Sequence, residues 1–285
     1  MHIVPSGVKN YVSAVATFED ELFVLRCVNQ KVEVYDANSF VLKRCIEIPG
    51  FGRWSLSRKL CARVSGMVVT PTNNCLYVSD WNNSAVHRVR LSTEKNKTKK
   101  WAVADYPVGL SLNRAENVVV ACCETSRLQE FTTDGSFVRE IRLEAAGVTY
   151  PWHAVELSTG NYVVSQGTKP GLVFEVDLDG RLIRSYGESP TSDAEPDPAG
   201  GQVAAARTLR HPQDIAVTKN DDLLVADSPN KRIVLVQTST GGVQDLALAI
   251  DGGIEMPSSV CFDQSRARLY ISELTGQYRL LVFAA

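Results

Sequence analysis

His153 and Asp214 occupy the same place in two related motifs, PWHAVEL and PQDIAV, each being the third residue from an opening proline. The matching place in four other segments holds Ala14, Gly66, Gly109 and Ser259. An imidazole held beside a carboxylate has a raised pKa and titrates near neutral pH. Such a pair suits a polar anchor for a ligand or a general base. It suits equally a hydrogen bond that ties two segments together and does no chemistry. A second candidate is the insertion PGFGRWSLSRKLCAR, residues 49–63, which carries Arg53, Arg58, Lys59 and Arg63 and no acid, with Phe51 and Trp54 interleaved. Basic groups attract phosphate, while aromatic rings and arginine stack on unpaired bases. That segment reads as a contact for RNA or an acidic peptide, or as a solvated loop whose aromatics plug a rim. Trp81 follows Asp80 in a turn and reads as an exposed hot spot or as a ring packed under a neighbouring loop. Trp152, beside His153, and Lys231, in the turn after Asp227, complete the candidate binding set.

Other chemistries find little support. The chain lacks G-x-S-x-G, H-E-x-x-H and a P-loop. With four histidines, of which His2 and His87 fall in strands away from any common axis, a three-imidazole metal site is not expected, nor is a cofactor. The seven cysteines are scattered, none in a C-x-x-C pair, and read as free thiols of a reducing, cytoplasmic compartment. The formal charge of −2 gives no overall basic balance, so DNA is not an expected partner and RNA would need a local patch. No signal-like leader and no apolar run of membrane-spanning length is present, so no membrane role is expected.

The elements that must position these residues come from a repeat. One unit opens with Pro or Val near residues 12, 64, 107, 151, 212 and 257, and three of the intervals are 43, 44 and 45 residues. Second strands align as LFVLR, LYVSD, VVVAC, YVVSQ, LLVAD and LYISE. Third strands align as VEVYD, VHRVRL, LQEF, LVFEVD, IVLVQ and RLLVF. Short runs of Val, Leu, Ile and Tyr bounded by Asn, Asp, Gly and Pro are strands. The Asp134-Gly135 and Asp179-Gly180 pairs mark hairpins into fourth strands. A four-stranded antiparallel meander repeating at this period is a propeller blade. The longer intervals place insertions at 49–63 and 187–211. The sixth unit ends after its third strand, so His2-Ile3-Val4 is expected to complete it and close the ring. The expected architecture is all-β: a six-bladed β-propeller formed by one domain, 1–285.

LLVADSPNKRI, following PQDIAV, resembles an NHL repeat, and LYVSDWNNSAV is a looser copy; the other units have lost the Asp. The resemblance extends to the C-terminal NHL propellers of tripartite-motif proteins. It implies a non-catalytic platform that binds a protein partner through its loop face, in the ubiquitin pathway, with an RNA-binding propeller as the alternative. No RING or B-box cluster is present, so any ligase activity would lie outside this sequence. A second alternative is a hydrolase or lyase of the lactonase or amidating-lyase type, whose site lies in the central channel. Such enzymes generally hold a metal there, and the small residues Ala14, Gly66 and Gly109 supply no ligand for one. The Asp ending a second strand, as in Asp227, is expected to accept turn amides and pair with the nearby Arg232.

Overall fold

The structure, a computed structural model, describes residues 2–4, 12–26, 31–51, 66–91, 97–168, 171–187, 208–275 and 278–284. The chain begins with β1 (His2–Val4). Blade one is β2 (Val12–Phe18), β3 (Glu21–Arg26), β4 (Lys31–Asp36) and β5 (Leu42–Glu47); blade two is β6 (Met67–Thr70), β7 (Cys75–Asp80), β8 (Ala85–Arg90) and β9 (Thr98–Ala102). Blade three is β10 (Pro107–Leu112), β11 (Val118–Cys122), β12 (Arg127–Phe131) and β13 (Phe137–Arg142). Blade four is β14 (Pro151–Glu156), β15 (Tyr162–Gln166), β16 (Val173–Val176) and β17 (Leu182–Tyr186). Blade five is β18 (Pro212–Val217), β19 (Leu223–Asp227), β20 (Arg232–Gln237) and β21 (Gly242–Asp245); blade six contributes β22 (Pro257–Asp263), β23 (Arg268–Glu273) and β24 (Leu280–Ala284).

Each blade is a four-stranded antiparallel sheet in sequential order, except the last, which runs β1-β24-β23-β22. The N-terminal strand therefore closes the ring, with His2 opposite Val282 and Val4 opposite Leu280. This pairing covers the edge that β24 would otherwise expose.

The six-bladed expectation holds at the level of packing. Among the described residues, apolar side chains of adjacent blades interlock at all six junctions of the ring. One joins blades one and two through Phe23, Val34, Leu76 and Val78, and another closes blade six onto blade one through Tyr270, Val282, Val15 and Val24. The periodicity reflects this: second strands are buried on both faces, as in the fully buried CLYVSD and LLVAD, because each lies between two neighbouring sheets. Fourth strands form the rim, and β17 exposes four of its five residues.

The last three residues of the basic run TEKNKTKK, Thr98 to Lys100, lie within β9 and pair with β8. Residues 52–63 of the insertion, with Arg53, Trp54, Arg58, Lys59 and Arg63, lie outside the described residues, as does the expected start of blade two at residue 64. No described helix is long and apolar enough to cross a membrane.

Candidate functional site

The six innermost strands surround a channel of 320 Å³ whose lining includes the third residue of every opening motif: Ala14, Gly66, Gly109, His153, Asp214 and Ser259. Five of these strands share a local irregularity. Their register with the second strand slips between Val12 and Ala14, Pro107 and Leu110, Pro151 and His153, Pro212 and Ile215, and Pro257 and Ser259. A bulge adds a residue to one strand and re-aims the side chains around it. Here it lies immediately before the motif's third residue, at Ser13, Trp152 and Ser258, or spans the second and third, at 108–109 and 213–214. The amides it detaches from the ladder are met by serines of the second strand. Ser165 Oγ accepts from the His153 amide at 3.1 Å, and Ser79 Oγ accepts from the Gly66 amide at 2.7 Å while donating to the Val108 carbonyl at 2.7 Å.

The small residues have a steric cause. A Cβ on Gly109 would lie 2.4 Å from the Trp152 carbonyl and 2.5 Å from His153 Cδ2; one on Gly66 would lie 2.3 Å from the Leu110 amide. Blades two, three and four approach through these glycines, and the His153 ring occupies the space a side chain on Gly109 would take.

His153 and Asp214 meet. His153 Nδ1 lies 2.6 Å from Asp214 Oδ1, with side-chain exposures of 13% and 17%. His153 Nε2 donates to the Leu110 carbonyl at 3.1 Å. Asp214 also accepts from the Ile215 amide at 2.9 Å and, across to blade six, from the Val260 amide at 2.9 Å. One carboxylate and one ring therefore link blades three, four, five and six. A carbonyl and a carboxylate only accept, so in this arrangement both ring nitrogens carry a proton. Burial opposes a charged imidazole, but the Asp214 carboxylate and the hydrogen bonds outweigh it, and the His153 pKa lies above the ordinary histidine value.

The remaining candidates separate. Trp81 is 7% exposed and stacks on Tyr106 with ring centroids 4.4 Å apart, so it is the packed ring and not the exposed one. Trp152 packs partly against the same group and lines the channel. Lys231 is an exposed left-handed turn residue whose ammonium pairs with Glu255 at 3.1 Å, away from the channel lining. Asp227 is buried and accepts from the Arg210 amide at 2.8 Å, from Asn230 at 2.8 Å and from Arg232 at 2.9 Å, the turn role expected of it. Related side chains hold the same entry loop elsewhere: Glu273 takes the Glu255 amide, Gln166 the Thr149 amide and Gln129 the Ala104 amide.

The third residues of the opening motifs offer one imidazole and one carboxylate, already bonded to each other, and otherwise the small Ala14, Gly66, Gly109 and Ser259; Glu156 and Cys261 also line the channel, and Glu156 accepts from the Arg114 amide. Among the described residues no three His, Cys, Asp or Glu side chains converge. These residues do not fit a metal held by several side chains.

The NHL repeat family matches residues 209–234. With the six-bladed fold, this supports an NHL-type propeller; it bears on the repeat and not on the tripartite-motif proteins. No curated protein matches the chain. Among solved structures, a catalytically inactive histidine-to-alanine variant of virginiamycin B lyase from Staphylococcus aureus, with quinupristin, is 13% identical, covers 95% of this chain and 81% of its own, and has a TM-score of 0.62. A streptogramin B lyase structure is 14% identical over 100% of this chain and 86% of its own, TM-score 0.63. Hydrazine synthase from Kuenenia stuttgartiensis is 15% identical over 99% and 97%, TM-score 0.66. At these identities the likeness is one of fold. It still corrects two expectations. Catalytic propellers stand among the similar structures, and this overturns the reading of a non-catalytic platform and of a chain with no enzymatic role. The channel-site lyase weighed as an alternative accords better with these matches.

Proposed function

We propose that this propeller is an enzyme of the lyase type, with His153 as the acid–base group at the channel and Asp214 orienting it. The observation that carries the reading is the His153–Asp214 pair itself: a ring fixed by a carboxylate of the next blade, partly open to the channel, in the one region where every blade contributes. The lyases of similar fold lend support, and the inactive histidine variant among them is a parallel for a histidine-dependent site.

An elimination breaks a C–H bond and a bond from the adjacent carbon to a heteroatom, and forms a double bond between the two carbons. The departing heteroatom keeps the bonding electrons and needs a proton. His153 suits that step. Its Nε2–H now points to the Leu110 carbonyl, and a substrate heteroatom in the channel can take the carbonyl's place. After donation the proton on Nδ1 stays with the ring, held by Asp214, so the neutral tautomer and ring orientation are fixed. The neutral Nε2 then takes the proton from the adjacent carbon as the C–H electrons form the double bond, so the ring returns to its starting acid form and the protons balance. A pKa above the usual histidine range keeps the acid form populated near neutrality.

The test uses quinupristin as the probe, with the reaction run in heavy-oxygen water. A lyase forms a cleaved product that carries no solvent oxygen. Solvent oxygen in the product would overturn the elimination in favour of hydrolysis, and no product at all would overturn the reading for this substrate class. The rate should be full at low pH and fall as pH rises through the raised His153 pKa, because the protonated ring is the working form.

A further inference from the structure

Two polar atoms of the channel wall have no hydrogen-bond partner among the described residues: Ser111 Oγ and Gln213 Oε1. Ser111 is 9% exposed, and both residues line the channel. A buried hydroxyl left unpaired costs stability, and such groups are rare in native structures. Their places in the chain give them a shared position. Ser111 follows Leu110, whose carbonyl holds His153 Nε2, and Gln213 precedes Asp214, which holds His153 Nδ1. The two unpaired groups thus belong to residues next in sequence to those that hold the His153 ring, and both residues line the channel.

The opposite wall differs in chemistry. Blades one and two face the channel mainly with Ala16, Met67 and Val68, with Ser13 and Thr17 as polar members and no charged side chain. The other half presents a hydroxyl, a carboxamide, an N–H donor and Glu156, whose carboxylate already accepts from the Arg114 amide. The charge of the His153 ring is answered by Asp214, so this polar half calls for a neutral group that both accepts and donates. An acceptor meets His153 Nε2–H and the Ser111 hydroxyl, which reaches the channel by rotation about its Cα–Cβ bond. A donor meets Gln213, whose carboxamide pairs best with another amide.

We infer that the channel binds a small neutral molecule that carries a secondary amide and an apolar flank, with Ser111 and Gln213 as the contacts that select the amide. This deepens the proposed function and rests on its placing the site in the channel, but binding is measured here without turnover. The probe is N-isobutylacetamide, compared with isobutyl acetate, which has the same shape and lacks the N–H, and with isovalerate, which is charged. Chemical-shift perturbation of the folded full chain gives each affinity. The amide should bind about 10-fold more tightly than the ester, the cost of leaving one buried polar group unpaired. Ser111→Ala should weaken amide binding by a similar factor while leaving Tm unchanged or raised, since it removes an unpaired hydroxyl; a purely structural serine would lower Tm. Gln213→Leu is the second variant and should abolish the preference for amide over ester. Equal binding of amide and ester, preference for isovalerate, or Ser111→Ala binding as tightly as the native chain would each overturn the inference. A failure to cleave quinupristin would leave these binding results intact, so the two ideas fail separately.

Discussion

Among the described residues two His–Asp pairs stand out, and they differ in almost everything except their chemistry. His87 and Asp80 lie in one hairpin of blade two, 2.8 Å apart and 1% and 2% exposed. Asn83 binds both oxygens of that carboxylate, through its amide at 3.2 Å and its side chain at 2.7 Å, and Phe51 packs edge-on to the imidazole at 5.7 Å. His153 and Asp214 come from different blades, link four blades through backbone groups, and face the channel. One pair is sealed within its own blade and the other is built at a junction where a ligand can reach it. Residue types alone do not separate a structural pair from a reactive one; position in the ring does.

The comparison makes ranked predictions. The largest effect is expected for Asp80→Ala, which leaves the buried imidazole and the Asn83 donors without their acceptor and should cost about 1–3 kcal/mol for each buried group left unpaired, read in denaturant unfolding. Turnover per folded molecule should not change; a large loss of rate at full occupancy of the fold would break the distinction. Gly109→Ala comes next. Its Cβ would overlap the His153 ring and the Trp152 carbonyl, so about 1–3 kcal/mol of strain is expected. Displacement of the ring should slow turnover by about 10-fold or more. Native stability with native rate would show that the ring has room the structure denies it.

The smallest effect is a pH dependence. His153 has a folded pKa above its unfolded value, so its contribution to stability is complete below the unfolded value of about 6.5. It is lost as pH rises through the folded value. Tm measured across that window should fall with rising pH in the native chain and show a weaker slope in Asp214→Asn, which removes the charge and keeps the shape. Identical slopes would mean that Asp214 does not hold the imidazole charged.

Much of the fold was legible in the sequence because blades repeat. Six aligned second strands fixed the blade count, and the missing fourth strand of the last blade pointed to His2–Val4 as its completion. Alignment of the opening motifs also paired His153 with Asp214, since their residues break a series of small side chains. The bulges were not legible: they depend on how inner strands converge on the axis, and the only trace in sequence is the serine before the last residue of LYVSD, YVVSQ and LYISE. Trp81 was ambiguous because a turn residue's exposure is decided by Tyr106 on another blade. Ser111 gave no signal, since an unpaired hydroxyl is defined by the absence of neighbours in space. The non-catalytic expectation came from the resemblance to tripartite-motif propellers and from the scarcity of histidines, and neither bears on a site assembled from the inner strands of several blades.

The most direct measurement sets the two histidines against each other in single-turnover cleavage of quinupristin at a temperature where all variants are folded. His153→Ala should slow the reaction by about 10²- to 10⁴-fold, while His87→Ala should keep the native rate and lose only stability. A His153→Ala enzyme that turns over as fast as the native chain would contradict the account.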